Sequence, residues 1–272
     1  MAHLGQLPDR LFEYPQLLGS HGLFIDNTTA GSVTMSTSDL YFDLGFMSES
    51  QHWAFEAQTL LPNSPRILKR LIMISFVNGK YILAANFLKI LDQNMLCHAW
   101  VNKYRNYVAD TAMASADQLI AEKRRFTPKK VVVNSGAFNS LILLAETNKD
   151  NRMAYDYLLT YCILDSHFTQ FVDYLQYYRN YNIRKLPRSW EEALVIYISK
   201  TRELPAFITP QIISENCIKR FLDFNKSVKQ FGNNSTAAKD ALFAAYGDAY
   251  WYYLLYMNPK VTNILQNKIE VL

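Results

Sequence analysis

Gly45 and Gly79 lie 34 residues apart, at matching points of two stretches that each read helix, turn, helix. Before Gly79 runs Arg66-Ile67-Leu68-Lys69-Arg70-Leu71-Ile72, and after it Tyr81, Ile82, Leu83 and Ala84, followed by Leu88 and Leu91. Before Gly45 stands Tyr41-Phe42-Asp43-Leu44, and after it Ala54, Ala57 and Leu60, with a stop at Pro62-Asn63-Ser64-Pro65. Glycine adopts without penalty the backbone conformation that a tight interhelical turn needs. Small residues on the second helix then let it press against the first. A glycine turn recurring at this period is expected of helix pairs stacked side by side, and it predicts an all-α chain.

These residues resemble the tetratricopeptide repeat, whose period is about 34. The likeness is clearer over 38–92 and weaker over 150–226, where Tyr155 and Leu158 correspond to Trp190 and Ala193 at an interval of 35. Trp100 falls 32 residues after Leu68, where the family pattern places a tryptophan. There are departures. The glycine expected early in the first helix is Ser38 or Ile72, and the small residue at the second-helix crossing is Ser50, then Ala84, then bulky Phe171. The expected fold is therefore a degenerate tetratricopeptide-like α-solenoid of antiparallel helix pairs, with an irregular arm at 1–37 and a single helical-repeat domain at 38–272. The stretches from Tyr41 to Arg70 and from Asn180 to Trp190 are also similar to an uncharacterised bacterial family in which a soluble region follows several membrane helices. That likeness implies the soluble part of a membrane protein, or a shortened relative of one.

Caps and breakers mark the elements. Residues 1–37 hold Gly5, Gly19, Gly22 and Gly31 and show no sustained period, with Leu11, Phe12, Tyr14 and Leu17 expected to pin them to the first helices. Ser38 is expected to start a helix. Ser48 with Gln51, and Ser189 with Glu192, have the spacing of capping boxes. Ser64-Pro65 is a cap followed by proline at the first helical position, and Thr209-Pro210 is expected to open another helix. On a helix over His167–Asn180, Tyr174, Tyr177, Tyr178 and Tyr181 would share one face. The only β-like run, Lys130-Val131-Val132-Val133, is too short to found a sheet.

The search for chemistry is mostly negative. Cys97, Cys162 and Cys217 show no paired spacing and read as core residues rather than a disulfide framework. Zinc-protease, phosphate-loop and nucleophile-elbow motifs are missing; Gly19-Ser20-His21-Gly22 has the wrong spacing for an elbow. Cys97 and His98 are adjacent, so on a helix they point about 100° apart and read as one packed and one surface residue. Glu191 and Glu192 read as first-turn acids favoured by the helix dipole. The expectation is a chain without catalytic, cofactor or metal site. The longest apolar run, Ala249 to Met257, is half the ~18 residues a membrane helix needs. No basic start leads into an apolar stretch as in a secretory signal, so the chain reads as soluble.

Charge offers two candidate surfaces. Lys123, Arg124, Arg125, Lys129 and Lys130 cluster around Phe126 and suit an anionic membrane surface. The net charge of +4 and the lack of a wider basic stripe argue against nucleic acid. In tetratricopeptide domains that hold peptide carboxylates, basic residues of the first helix of a pair face the groove. The resemblance places Arg66, Lys69 and Arg70 there, with Met73 and Phe76 continuing the stripe, and puts Asp39 where the family clamp has asparagine. The expected function is a non-enzymatic protein- or peptide-binding scaffold. The alternative is an envelope-side module that binds glycan or lipid.

Overall fold

A computed structural model describes residues 5–24, 31–129, 136–181, 183–232 and 234–260. Among them there is no strand: the chain is all-α, as its period predicts. It divides into two compact units, one from residues 24–154 and one from residues 1–23 with 155–272. This differs from the expected arm at 1–37 and single domain at 38–272. The physical reason lies partly in Leu11 and Phe12, which are both buried, Phe12 against rings of the C-terminal half. Phe12 sets its ring 5.4 Å from that of Tyr250 and 5.2 Å from that of Tyr253. Tyr14 and Leu17, expected to pin the same segment, are exposed.

The 24–154 unit is built from α2 (Gly31–Leu44), α3 (Met47–Leu60), α4 (Pro65–Val77), α5 (Tyr81–Leu91), α6 (His98–Ala109), α7 (Thr111–Ala116), α8 (Gln118–Phe126) and α9 (Gly136–Thr147). Each helix from α2 to α8 packs on its chain neighbour, and α8 also returns to α4 and α2. Both glycine turns close in the same way. Gly45 donates to the Phe42 carbonyl and Phe46 to that of Tyr41; Gly79 donates to Phe76 and Lys80 to Ser75. Gly45 and Gly79 have φ of +99° and +69°. This paired-bond ending, with a left-handed residue just past the helix, satisfies carbonyls that the helix leaves open.

α4 is the central element. Pro65 presets its first turn, and Ile67, Leu68, Leu71, Ile72 and Ile74 are all buried to within about one per cent of full. Each such side chain contributes about 1.5–3 kcal/mol. A helix so enclosed keeps one polar stripe, formed by Arg66, Lys69 and Arg70. The α2–α3 crossing is polar at its centre. Ser38 is no helix start: it sits inside α2, donates to the Ser50 carbonyl at 2.7 Å and receives a bond from Ser50 Oγ to its own carbonyl at 2.8 Å. With no bulk at either position, the two backbones come close enough to exchange these bonds.

The other unit contains α1 (Leu7–Arg10), α10 (Arg152–Leu164), α11 (Phe168–Leu175), α12 (Arg188–Thr201), α13 (Glu215–Gln230), α14 (Ser235–Tyr246) and the short α15 (Tyr250–Tyr252), which runs into a π turn at Tyr253–Met257. α12 is its axis and packs on α1, α11, α13 and α15. Trp190 is fully buried and meets Tyr155 edge-on at 5.7 Å. The expected four-tyrosine helix face does not form. α11 ends at Leu175, and a 3-10 turn begins at Tyr178, so Tyr177 is exposed while Tyr178 is buried. Pro210–Ile212 is a 3-10 turn, and α13 starts later, capped by Ser214. The Ser48 and Ser189 capping boxes do not form either, because α3 and α12 each begin one residue before the serine. The β-like run from Lys130 to Val133 lies outside the described residues. No described helix is long and apolar enough to cross a membrane.

Candidate functional site

The polar stripe of α4 opens onto a groove of about 510 Å³ within the 24–154 unit. Three successive first helices build it. α2 contributes Met35, Asp39 and Phe42; α4 contributes Arg66, Lys69, Arg70 and Met73; α6 contributes Trp100 and Tyr104. Leu119 of α8 closes one side. Residues 66, 69, 70 and 73 share this face because three- and four-residue steps return to one side of a helix.

The charges there are unequal in freedom. Arg70 is held: its Nη2 and Nε donate to Asp39 Oδ1 at 2.6 and 2.9 Å, and its guanidinium lies 4.0 Å over the ring of Phe42. Arg66 donates to the other oxygen, Asp39 Oδ2, at 2.5 Å, yet its side chain is 60% exposed. Lys69 sits 5.4 Å over the ring of Trp100, a contact worth ~0.5–2 kcal/mol depending on desolvation. Trp100 in turn packs on Tyr104 with ring centroids 4.2 Å apart. Three cations face one carboxylate, so the groove carries a net positive charge above an apolar floor of methionine and aromatic side chains.

The structure places Arg66, Lys69, Arg70 and Met73 in this groove, and Phe76 elsewhere. Phe76 lies one turn beyond Met73 and is fully buried, covered by the rings of Tyr81, Tyr104 and Tyr107. The helices that follow α4 close over its last turn and leave its middle open. Sequence reading did not assign Met35, Phe42, Tyr104 or Leu119 to the groove. Each sits on a different helix from the basic stripe, where only Asp39 and Trp100 carry a positional signal in the sequence.

The basic cluster is not one surface. Lys123 is 6% exposed; its ammonium donates to the Asp43 carbonyl at 3.0 Å and lies over the rings of Phe126 and Phe42. Arg124 bonds the Phe76 and Val77 carbonyls, Ser115 Oγ and Tyr81 Oη. Two cations of α8 thus meet the carbonyl ends of α2 and α4, where the helix dipole favours positive charge. Arg125 is exposed near Asp150, and Lys129 is exposed. Lys130 lies outside the described residues.

Other candidates resolve into packing. Cys97 is buried, while His98 is exposed and bonded to the Asp92 carbonyl. Ser20 of the Gly19–Gly22 stretch is buried and donates to Asp165 at 2.6 Å. Glu191 and Glu192 are buried, not solvated. Glu191 accepts from Ser214 N, and Glu192 accepts from Tyr250 N at 2.7 Å, so each carboxylate meets the start of another helix.

No curated protein and no solved structure matches this sequence. One family model does, over residues 1–257, and its description is "Family of unknown function". The chain therefore belongs to the family of unknown function DUF6057.

Proposed function

We propose that the chain is a non-enzymatic scaffold that binds a peptide segment of a partner protein in the α2–α4–α6 groove, in the manner of tetratricopeptide domains. The observation that carries this reading is the stacking of Lys69 on Trp100 in one groove with Met73 and the exposed side chain of Arg66. An extended peptide would lay an apolar or aromatic side chain on Met35, Met73 and Trp100. A carboxylate on that peptide would meet Arg66 and Lys69. Arg70 has a different part: Asp39 and Phe42 fix it, so it shapes the wall rather than reaching out. Buried aromatic and arginine anchors are the residues that dominate such interfaces.

Two matching glycine turns support the tetratricopeptide likeness, as does the supply of the groove by first helices. We give the cluster at 123–130 no lipid-facing role, because Lys123 and Arg124 are committed inside the unit. The test is selection from a random peptide library displayed on phage, against the full chain. Enriched peptides should carry an acidic residue or free C-terminus next to a large apolar residue, and Trp100→Ala should abolish their capture. Enrichment of basic peptides, or capture that persists in folded Trp100→Ala, would refute the reading.

A further inference from the structure

Residues 13–18, in the unit formed by 1–23 and 155–272, make an exposed loop between two buried anchors. Leu11 and Phe12 are buried before it, and Gly19 and Ser20 after it, with Ser20 Oγ donating to Asp165. Gln16 braces the loop from within: its side-chain amide donates to the Leu11 and Tyr14 carbonyls at 2.7 and 3.0 Å. Between these ties the chain displays Tyr14, Leu17 and Leu18, which are 51%, 65% and 68% exposed. A loop needs no apolar side chains to satisfy its backbone, and clustered exposed ones mark a contact surface. Because the loop is already braced, docking it costs little ordering entropy.

The loop has the chemistry that the α2–α4–α6 groove would take. Glu13 supplies a carboxylate directly before Tyr14, and residues 13–18 contain no cation. The partner of Glu13 is Arg10, at 2.7 Å, and both side chains are exposed. Such a surface pair holds weakly, and a carboxylate keeps lone pairs for further donors such as Arg66 and Lys69. The apolar residues of the loop match the floor of Met35, Met73 and Trp100. Another exposed acidic and apolar pair, Glu203-Leu204, suits the groove less well. It follows the exposed Arg202, which the groove would repel, and presents a single leucine.

We propose that the groove of one copy takes the 13–18 loop of a second copy of this chain. This rests on the peptide-binding reading of the groove and names the partner. Glu13 exchanges Arg10 for Arg66 and Lys69, and the apolar side chains of the loop leave water for the aromatic floor. Loop and groove are different surfaces, so the contact is head-to-tail. Such contacts close into a ring or continue as a filament.

The test is analytical ultracentrifugation of the full chain, from low micromolar to submillimolar concentration. The average mass should rise with concentration beyond that of one chain. Tyr14→Ser/Leu17→Ser alters only exposed side chains and should weaken association about tenfold or more, as loss of apolar anchors does. Trp100→Ala should do the same from the groove side, with Arg66→Ala/Lys69→Ala as a second groove variant should the first not fold. The loop variant keeps its groove and the groove variant keeps its loop. Each alone should therefore stay monomeric where the wild type associates, while their mixture forms a dimer that cannot extend. Leu204→Ser should associate as the wild type does. A wild-type chain that stays monomeric, while a library-selected peptide binds through Trp100, would overturn this inference and leave the groove reading standing. A monomeric chain that captures no peptide would overturn both. Association that persists in the loop variant, is lost in Leu204→Ser, or is not restored by mixing would overturn the head-to-tail contact.

Discussion

Arg124 closes the end of α4 by donating from Nη2 to the Phe76 carbonyl at 2.8 Å, across 48 positions of sequence. Its Nε reaches the next carbonyl, Val77, at 3.2 Å. Charge-assisted bonds to half-buried carbonyls are worth ~1.5–3 kcal/mol. Arg124→Ala should lower the unfolding free energy by about 2–3 kcal/mol in a urea titration, whereas Arg125→Ala, exposed and 3.7 Å from Asp150, should change it by less than about 0.5 kcal/mol. Equal effects would show that α8 does not cap α4.

The two turn glycines should differ in tolerance. A Cβ on Gly45 would come within 3.0 Å of both the Cβ and the carbonyl oxygen of Phe126, while a Cβ on Gly79 would meet nothing within 4 Å. Both positions carry the left-handed conformation, for which a side chain costs ~1–2 kcal/mol. Gly79→Ala should show that cost alone, and Gly45→Ala a further ~1–3 kcal/mol of overpacking. Thermal unfolding of the two variants checks the order; a lower melting temperature for Gly79→Ala would contradict the α2–α8 packing.

Asp165 gives stability a pH dependence of defined sign. Burial pushes its carboxyl up, but the hydrogen bonds from Ser20 and Lys260, with the charges of Lys260 and His167, outweigh this and hold it below the ordinary aspartate value. A lowered carboxylate adds stability above its unfolded value near 3.9 and loses it as pH falls through the folded value. Ser20→Ala should therefore destabilise at pH 7, by about 1–2 kcal/mol. The gap from wild type should shrink as the pH drops below about 4. A gap that stays constant down to pH 2 would show that the Ser20 bond does not favour the ionised form.

Gly45, Gly79 and the α4 stripe were legible because each depends on local rules: a left-handed turn residue, and return to one face every three or four positions. Where the same turn uses another residue, the signal vanished. Ser166 has φ of +59°, with Ser166 donating to Ile163 and His167 to Cys162, the bonding seen at both glycines. Nothing in a serine announces that conformation. Long-range capping was hidden as well, since Lys123 and Arg124 look like any exposed basic run until Asp43 and Phe76 are folded against them. The groove lay between these cases. Its basic half sits on one helix and could be read, while Met35, Phe42 and Leu119 arrive from helices whose register only packing determines. Leu11 and Phe12 show the same limit, because no local pattern tells a terminal segment which half of the chain will bury it.

On the function we propose, the groove of α2, α4 and α6 holds a peptide through Trp100 and Lys69. Its most direct test is fluorescence anisotropy with a labelled library-selected peptide, titrated with wild type, Trp100→Ala, Arg66→Ala/Lys69→Ala and, as a control, Arg125→Ala. A central aromatic anchor is worth about 2 kcal/mol or more, so Trp100→Ala should weaken binding by roughly thirtyfold. The double variant should weaken it about tenfold at low salt and less at high salt, as surface charges are screened, and Arg125→Ala should match wild type. Unchanged affinity in folded Trp100→Ala and double variants would contradict the account.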